Sequence, residues 1–112
     1  VWRAQFWEAD MARSIRKKVI AIVEAAHLRR LVDLIRSCGV AGFTVIDGRE
    51  GSGIAGDWSR DGVFEAVEMK IVHAVTTAET AERVFDKAAV FFERYPGIIY
   101  GYDVEVVRGE RF

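Results

Sequence analysis

Five consecutive apolar residues, Val19-Ile20-Ala21-Ile22-Val23, constrain this chain more than any other stretch. All but Ala21 are β-branched, which favours an extended backbone. Successive side chains of a strand point to opposite faces, so this strand is apolar on both sides. It belongs in the middle of a sheet, with each face covered. The period then changes: Leu28, Leu31, Val32 and Ile35 fall at i, i+3, i+4 and i+7, with Arg29, Arg30, Asp33 and Arg36 on the outside. That spacing predicts a helix, and Gly39 supplies its stop. His27, just before it, reads as a turn residue. The three arginines read as a solvated helix face rather than a phosphate patch.

The segment after Gly39 leads into a short apolar strand ending near Ile46. A polar loop follows over residues 48–63, with glycines at 48, 51, 53, 56 and 62 and no apolar run long enough for an element of its own. Loops of that length are usually functional or disordered, and glycine-rich backbone can turn successive N–H groups toward an anion. Beyond it, Val67, Met69, Ile71, His73 and Val75 share one face of a strand, while Glu68, Lys70, Val72 and Ala74 share the other. The first row is expected to be the packed one, which would make His73 a packed, hydrogen-bonded histidine. Thr76-Thr77-Ala78-Glu79 has the form of a capping box. Ala81, Val84, Phe85, Ala88, Phe92 and Tyr95 make the stripe of a second, longer helix, which Tyr95-Pro96-Gly97 ends. In the last strand Tyr100, Tyr102, Val104 and Val106 alternate with Gly101, Asp103, Glu105 and Val107. At the other end, Ala4, Trp7, Met11 and Ile15 are spaced as an amphipathic helix over residues 1–16.

The expected fold is therefore α+β: a ferredoxin-like split βαβ (βαββαβ) domain over 17–112, preceded by an N-terminal helical extension over 1–16. Two helices cover only one face of a four-stranded sheet. The apolar residues on the other face call for a further copy of the chain, so an oligomer is expected.

The whole composition narrows the function. With 112 residues, 51% of them hydrophobic, and a net charge of −1, the chain reads as one soluble domain without the basic field that nucleic-acid binding needs. The single cysteine, Cys38, forms no internal disulfide and suits a reducing cytoplasm. No apolar run reaches the length of a membrane span. The chain opens on Val1 rather than Met, as expected of a trimmed or processed chain, and its N-terminus lacks the apolar core of a signal peptide. No His/Cys cluster has metal-ligand spacing, no Ser/His/Asp set falls in one cleft, and no full phosphate loop is present, so no catalytic residue or metal ligand is assigned. Asp103 and Glu105 share a strand face but read as structural. What remains is binding apparatus: the glycine loop with Arg49 and Arg60, the Pro96-Gly97-Ile98 corner, and Arg108 and Arg111, whose guanidinium forks match phosphate oxygens.

Residues 18–111 resemble the PII-type signalling proteins. The first strand Lys18 to Val23, the segment Gly39-Val40-Ala41-Gly42-Phe43-Thr44-Val45 (a GxxGxTV pattern) and the last strand Tyr102 to Arg108 carry the likeness. The long loop stands where that family has its T-loop. The chain departs from the better-known nitrogen regulators twice. Its loop lacks the tyrosine-bearing modification segment and has Ser52-Gly53-Ile54-Ala55-Gly56 and Trp58 instead. Its corner reads Tyr95-Pro96-Gly97-Ile98, without the lysine that neutralises ATP phosphates. Both departures, with Phe91 to Tyr100 and the Gly51-Ser52 pair, resemble PII-like proteins associated with carboxysomes or bicarbonate transporters.

The resemblance implies a cytoplasmic, non-catalytic homotrimer that binds adenine nucleotide between subunits, with inward-facing sheets. Gly42 and Thr44 would flank adenine and ribose. Gly48, Arg49, Gly51 and Ser52 would face the phosphates from the loop, and Gly97, Ile98, Ile99 and Tyr100 from the opposite corner. Arg111 matches a phosphate-contacting arginine, while Gly109 stands where a second is expected, so AMP, ADP or cyclic AMP is favoured over ATP. Bicarbonate is a further expected ligand, with Arg49, Ser52, Gly53 and Arg60 as its candidates, and a bicarbonate transporter or carboxysome-related protein is the expected partner. Two alternatives stand beside this reading. A small enzyme of the same fold, such as an acylphosphatase, needs an arginine at a helix start, where Ala25-Ala26-His27 offers none. A trimeric metal-tolerance protein needs the His and Cys cluster that is missing.

Overall fold

The computed structural model describes residues 12–53, 56–59 and 68–112. β1 (Arg13–Glu24) is the axis of the sheet and is paired along both sides. It lies antiparallel to β5 (Met69–Thr76) over Lys17–Glu24 and to β6 (Gly97–Val107) over Arg13–Val23. β2 (Phe43–Asp47) flanks the far side of β5, giving the order β2-β5-β1-β6. Helices α1 (Leu28–Ser37) and α2 (Ala78–Arg94) complete the βαββαβ plan.

Both helices cover the same face. Leu31 and Ile35 of α1 and Ala81, Val84 and Phe91 of α2 cluster with Val19, Ala21 and Val23 of β1 and Val72 and Ala74 of β5. Val23, Leu31 and Val84 are fully buried, each worth roughly 1.5–3 kcal/mol of apolar transfer. The opposite face has no covering layer among the described residues. There the register lines up Thr44, His73, Ile20 and Tyr100 in one row and Ile46, Ile71, Ile22 and Ile98 in the next. Ile46, Ile98, Tyr100 and Tyr102 are 46, 55, 45 and 47% exposed there.

That register reverses the expected faces of β5. Val72 and Ala74 pack under the helices because they pair with Ala21 and Val19, and His73 faces the open side opposite Ile20. Both rows of β5 carry apolar residues, so alternation alone does not decide between them.

Three further expectations change. Of the expected N-terminal helix, residues 1–11 lie outside the described residues, but Arg13 to Arg16 belong to β1. β6 runs on to Val107 and offers its backbone to pairing there. The ladder continues as Arg13↔Val107 and is flanked by Lys17–Asp103 (2.7 Å) and Arg13–Glu105 (3.6 Å) ion pairs. Asp103 and Glu105 are thus structural. Within the expected loop, β3 (Glu50–Gly53) and β4 (Gly56–Ser59) form a two-stranded hairpin, with Gly51 opposite Trp58 and Ser52 opposite Asp57. Backbone pairing organises this segment without an apolar run. Finally, α2 is capped one residue later than expected. Thr76 is buried as the last residue of β5, and Thr77 Oγ1 accepts from the Thr80 amide at 3.2 Å.

Candidate functional site

A groove of about 500 Å³ opens at the β2 side of the uncovered face. Its floor comes from β2 and β5, where Thr44 and His73 are paired directly across the ladder. Lys18 enters from β1, and Ala41, Gly42 and Phe43 enter from the α1–β2 connection and the start of β2. Arg111 and Phe112 close it from the C-terminal end. The groove thus brings together three of the residues expected to bind ligand, Gly42, Thr44 and Arg111. Lys18, His73, Phe43 and Phe112 were missed. Lys18 sits on the open-face parity of β1 beside a basic run, and His73 is assigned to that face only by strand register.

The C-terminal turn that carries Arg111 is tightly determined. Arg108 adopts φ 56, ψ 50, a left-handed conformation, and Gly109–Arg111 then form a 3-10 turn closed by Arg111 N–H to Arg108 O (3.0 Å) and Phe112 N–H to Gly109 O (3.1 Å). Arg16, on β1, donates from Nη2 to Gly109 O at 2.8 Å. Gly109 is buried, and a Cβ there would lie 2.7 Å from Ser14 Oγ, 2.8 Å from Ser14 Cβ and 2.9 Å from Arg16 Nη2. The glycine therefore leaves room for β1 and for the Arg16 guanidinium. Arg108 is exposed and is absent from the groove lining.

Gly97, Ile98, Ile99 and Tyr100 lie elsewhere. They open β6, at the other edge of the sheet, paired with Val23 to Ile20. Tyr100 and Thr44 occupy one row but are three strand spacings apart, roughly 14 Å at ~4.8 Å per strand. The corner itself is rigid. Tyr95, extended at φ −120 and ψ 140, ends α2 and sits against Phe91 and His27, with ring centroids 4.8 and 4.4 Å away. Gly97 has φ +144, and a Cβ would fall 2.4 Å from Ile22 O and 2.5 Å from Phe92 Cε1. One chain alone does not join this corner to the groove.

The hairpin carries the other expected residues. Arg49 precedes β3, and Gly51, Ser52 and Gly53 lie on it; Arg60 lies outside the described residues. The hairpin base is pinned to the sheet. Gly48 is buried and its N–H donates to Met69 O at 2.9 Å, so this amide serves the fold. Lys70 Nζ donates to Asp47 Oδ1 (2.6 Å) and Glu68 Oε1 (3.2 Å), and these bonds raise its pKa above the ordinary lysine value, Asp47 contributing most. Among the described residues, no group of three or more His, Cys, Asp and Glu side chains could hold a metal ion, and no helix is long and apolar enough to cross a membrane.

Solved structures of similar architecture point the same way. CPII from Thiomonas intermedia K12, a nitrogen regulatory PII-like protein solved with ADP, AMP and bicarbonate, is 25% identical, with a TM-score of 0.83 over 91% of this chain and 97% of that one. A PII-like signalling protein from Thermus thermophilus is 27% identical, with a TM-score of 0.76 over 91% and 99% of the two chains. GlnK of B. subtilis, solved with ATP, is 19% identical at a TM-score of 0.58 over 80% and 82%, a likeness of fold alone. Residues 16–111 match the family described as nitrogen regulatory protein P-II, and the chain belongs to that family.

Proposed function

We propose that this protein is a non-catalytic regulatory sensor, a homotrimer that binds adenine nucleotide in clefts between subunits and signals through the 48–63 segment. One observation carries the reading. Among its described residues the groove holds two cationic side chains, a histidine and two aromatic rings, with no acidic side chain. That lining suits a ligand that is flat and apolar at one end and anionic at the other. The Gly97–Tyr100 corner completes the site from a neighbouring subunit, and the exposed apolar residues of the open face supply the subunit contact.

Gly42 and Thr44 contact adenine and ribose, and Arg111, with Arg108 nearby, serves the phosphates. Gly48, Arg49, Gly51 and Ser52 approach from the hairpin, and bicarbonate is held by Arg49, Ser52, Gly53 and Arg60. Neither Ile98 nor Gly109 brings charge, so AMP or ADP is favoured over ATP. The ADP, AMP and bicarbonate bound by CPII support this ligand set. The downstream role is regulation of inorganic-carbon metabolism in the cytoplasm, through a bicarbonate transporter or carboxysome-related partner. The test is whether ADP binds saturably while ATP and acyl phosphates stay intact. Steady turnover of either would overturn the sensor reading in favour of an enzyme.

A further inference from the structure

Among the described residues, Lys18 is the one cationic side chain of the four-stranded sheet without a partner. The others are engaged within the chain. Lys17 pairs with Asp103 at 2.7 Å and Arg13 with Glu105 at 3.6 Å. Lys70 Nζ holds Asp47 and Glu68, and Arg16 donates to the carbonyls of Ile15 and Gly109, both at 2.8 Å. Lys18 is half-buried, yet forms no hydrogen bond or ion pair to a described residue.

Its place in the ladder explains why. Lys18 follows the open-face parity of β1, and its cross-strand partners are Val75 on β5 and Tyr102 on β6. The diagonal neighbours on that face are His73, Tyr100 and Val104, so no acidic side chain stands within one step. Lys18 instead lines the groove with Arg111, whose side chain is likewise unpaired among the described residues. Phe112, at the same end of the groove, carries the chain's terminal carboxylate, but no ion pair joins it to either cation. One carboxylate would in any case offset only one of the two charges. Taking an ammonium partly out of water is unfavourable without a counter-charge. An anion entering the groove supplies that counter-charge to both cations at once, through charge-assisted hydrogen bonds. We propose that Lys18 is a ligand-contacting residue, whose ammonium shares the ligand's phosphate groups with the Arg111 guanidinium. This rests on the groove being the phosphate-binding part of the nucleotide site.

Lys18→Met removes the ammonium and keeps most of the stem, Lys18→Gln puts a neutral polar group there, and Lys18→Arg keeps the charge. Lys17→Met is the control, since Lys17 is the next residue along β1 but points to the other face, onto Asp103. The readout is calorimetric titration with ADP, and separately with inorganic pyrophosphate, at low and high salt. Lys18→Met and Lys18→Gln should bind both ligands about tenfold or more weakly than the parent at low salt, a difference of ~1.4 kcal/mol. They should also lose less affinity than the parent when NaCl rises from about 50 to about 500 mM, because one charge contact is already gone. Lys18→Arg and Lys17→Met should stay within about threefold of the parent. A role of the lysine stem in packing alone would leave the salt dependence unchanged. ADP affinity within about threefold of the parent in Lys18→Met, or an equal salt dependence, would overturn the assignment and leave the nucleotide reading standing. If ADP fails to bind the parent while pyrophosphate binds in a Lys18-dependent way, the nucleotide reading falls and this one stands. If neither anion binds, both fall.

Discussion

Replacing Gly109 by alanine tests how the C-terminal turn is tied to the sheet. The new Cβ would meet Ser14 Oγ, Ser14 Cβ and Arg16 Nη2, all closer than 3.0 Å. The hydroxyl and the guanidinium can swing away, but Ser14 Cβ is fixed to a strand that pairs Ser14 with Val106. Reaching ordinary carbon–carbon contact at ~3.5 Å requires a backbone shift of roughly 0.7 Å. Overpacking of this kind costs about 1–3 kcal/mol. Moving the turn also breaks the 2.8 Å bond from Arg16 to Gly109 O, and a partly exposed bond with a charged donor is worth about 1–2 kcal/mol. The expected loss is about 2–5 kcal/mol in urea unfolding, read at fixed protein concentration because an oligomer's stability depends on it. ADP affinity should fall with it, since Arg111 and Phe112 ride on the turn. In an Arg16→Ala background the same substitution should cost at least 1 kcal/mol less, because the shared contact is already gone. A Gly109→Ala protein within about 0.5 kcal/mol of the parent, with unchanged ADP affinity, would show that close packing against β1 does not hold the turn.

Other consequences are simpler to read. Lys70 has its pKa raised by Asp47 and Glu68, so its contribution to stability is complete below the ordinary lysine value of 10.5 and is lost as pH climbs through the raised one. A urea midpoint that is flat around neutrality and falls only above about pH 10 in the parent, with that fall reduced in Asp47→Asn, is the expected pattern. Light scattering at micromolar concentration should give a trimer mass; a monomer would contradict the subunit-cleft site. Arg49→Ala should weaken nucleotide binding while the trimer mass stays unchanged. In the parent, nucleotide should slow tryptic cutting within 48–63, and equal cutting with and without it would remove that segment from the mechanism.

Much of this fold was legible because its strongest signals are local. Val19–Val23 could only be a central strand, Leu28 to Ile35 had one apolar stripe, and Pro96 ended α2. The features that were misread depend on partners distant in sequence. The face of β5 is decided by pairing with β1, and the strand character of Arg13–Arg16 by β6, some 90 positions away. The β3–β4 hairpin is held by backbone pairing, which leaves no side-chain period. The site divided in the same way. Gly42, Thr44 and Arg111, which line the groove, were singled out through motif resemblance. Lys18, His73 and Phe112 become neighbours only after the sheet closes. Gly109 illustrates both halves: the missing arginine was visible in the sequence, whereas the Arg16 clamp over it was not.

The proposed role is sensing of adenine nucleotides of low phosphate number together with bicarbonate. Calorimetric titration with AMP, ADP and ATP, each with and without bicarbonate, tests it most directly. One nucleotide should bind per chain, AMP or ADP more tightly than ATP, with an affinity raised by bicarbonate. ATP binding tenfold tighter than both, a difference of ~1.4 kcal/mol, or no nucleotide binding at all, would contradict it.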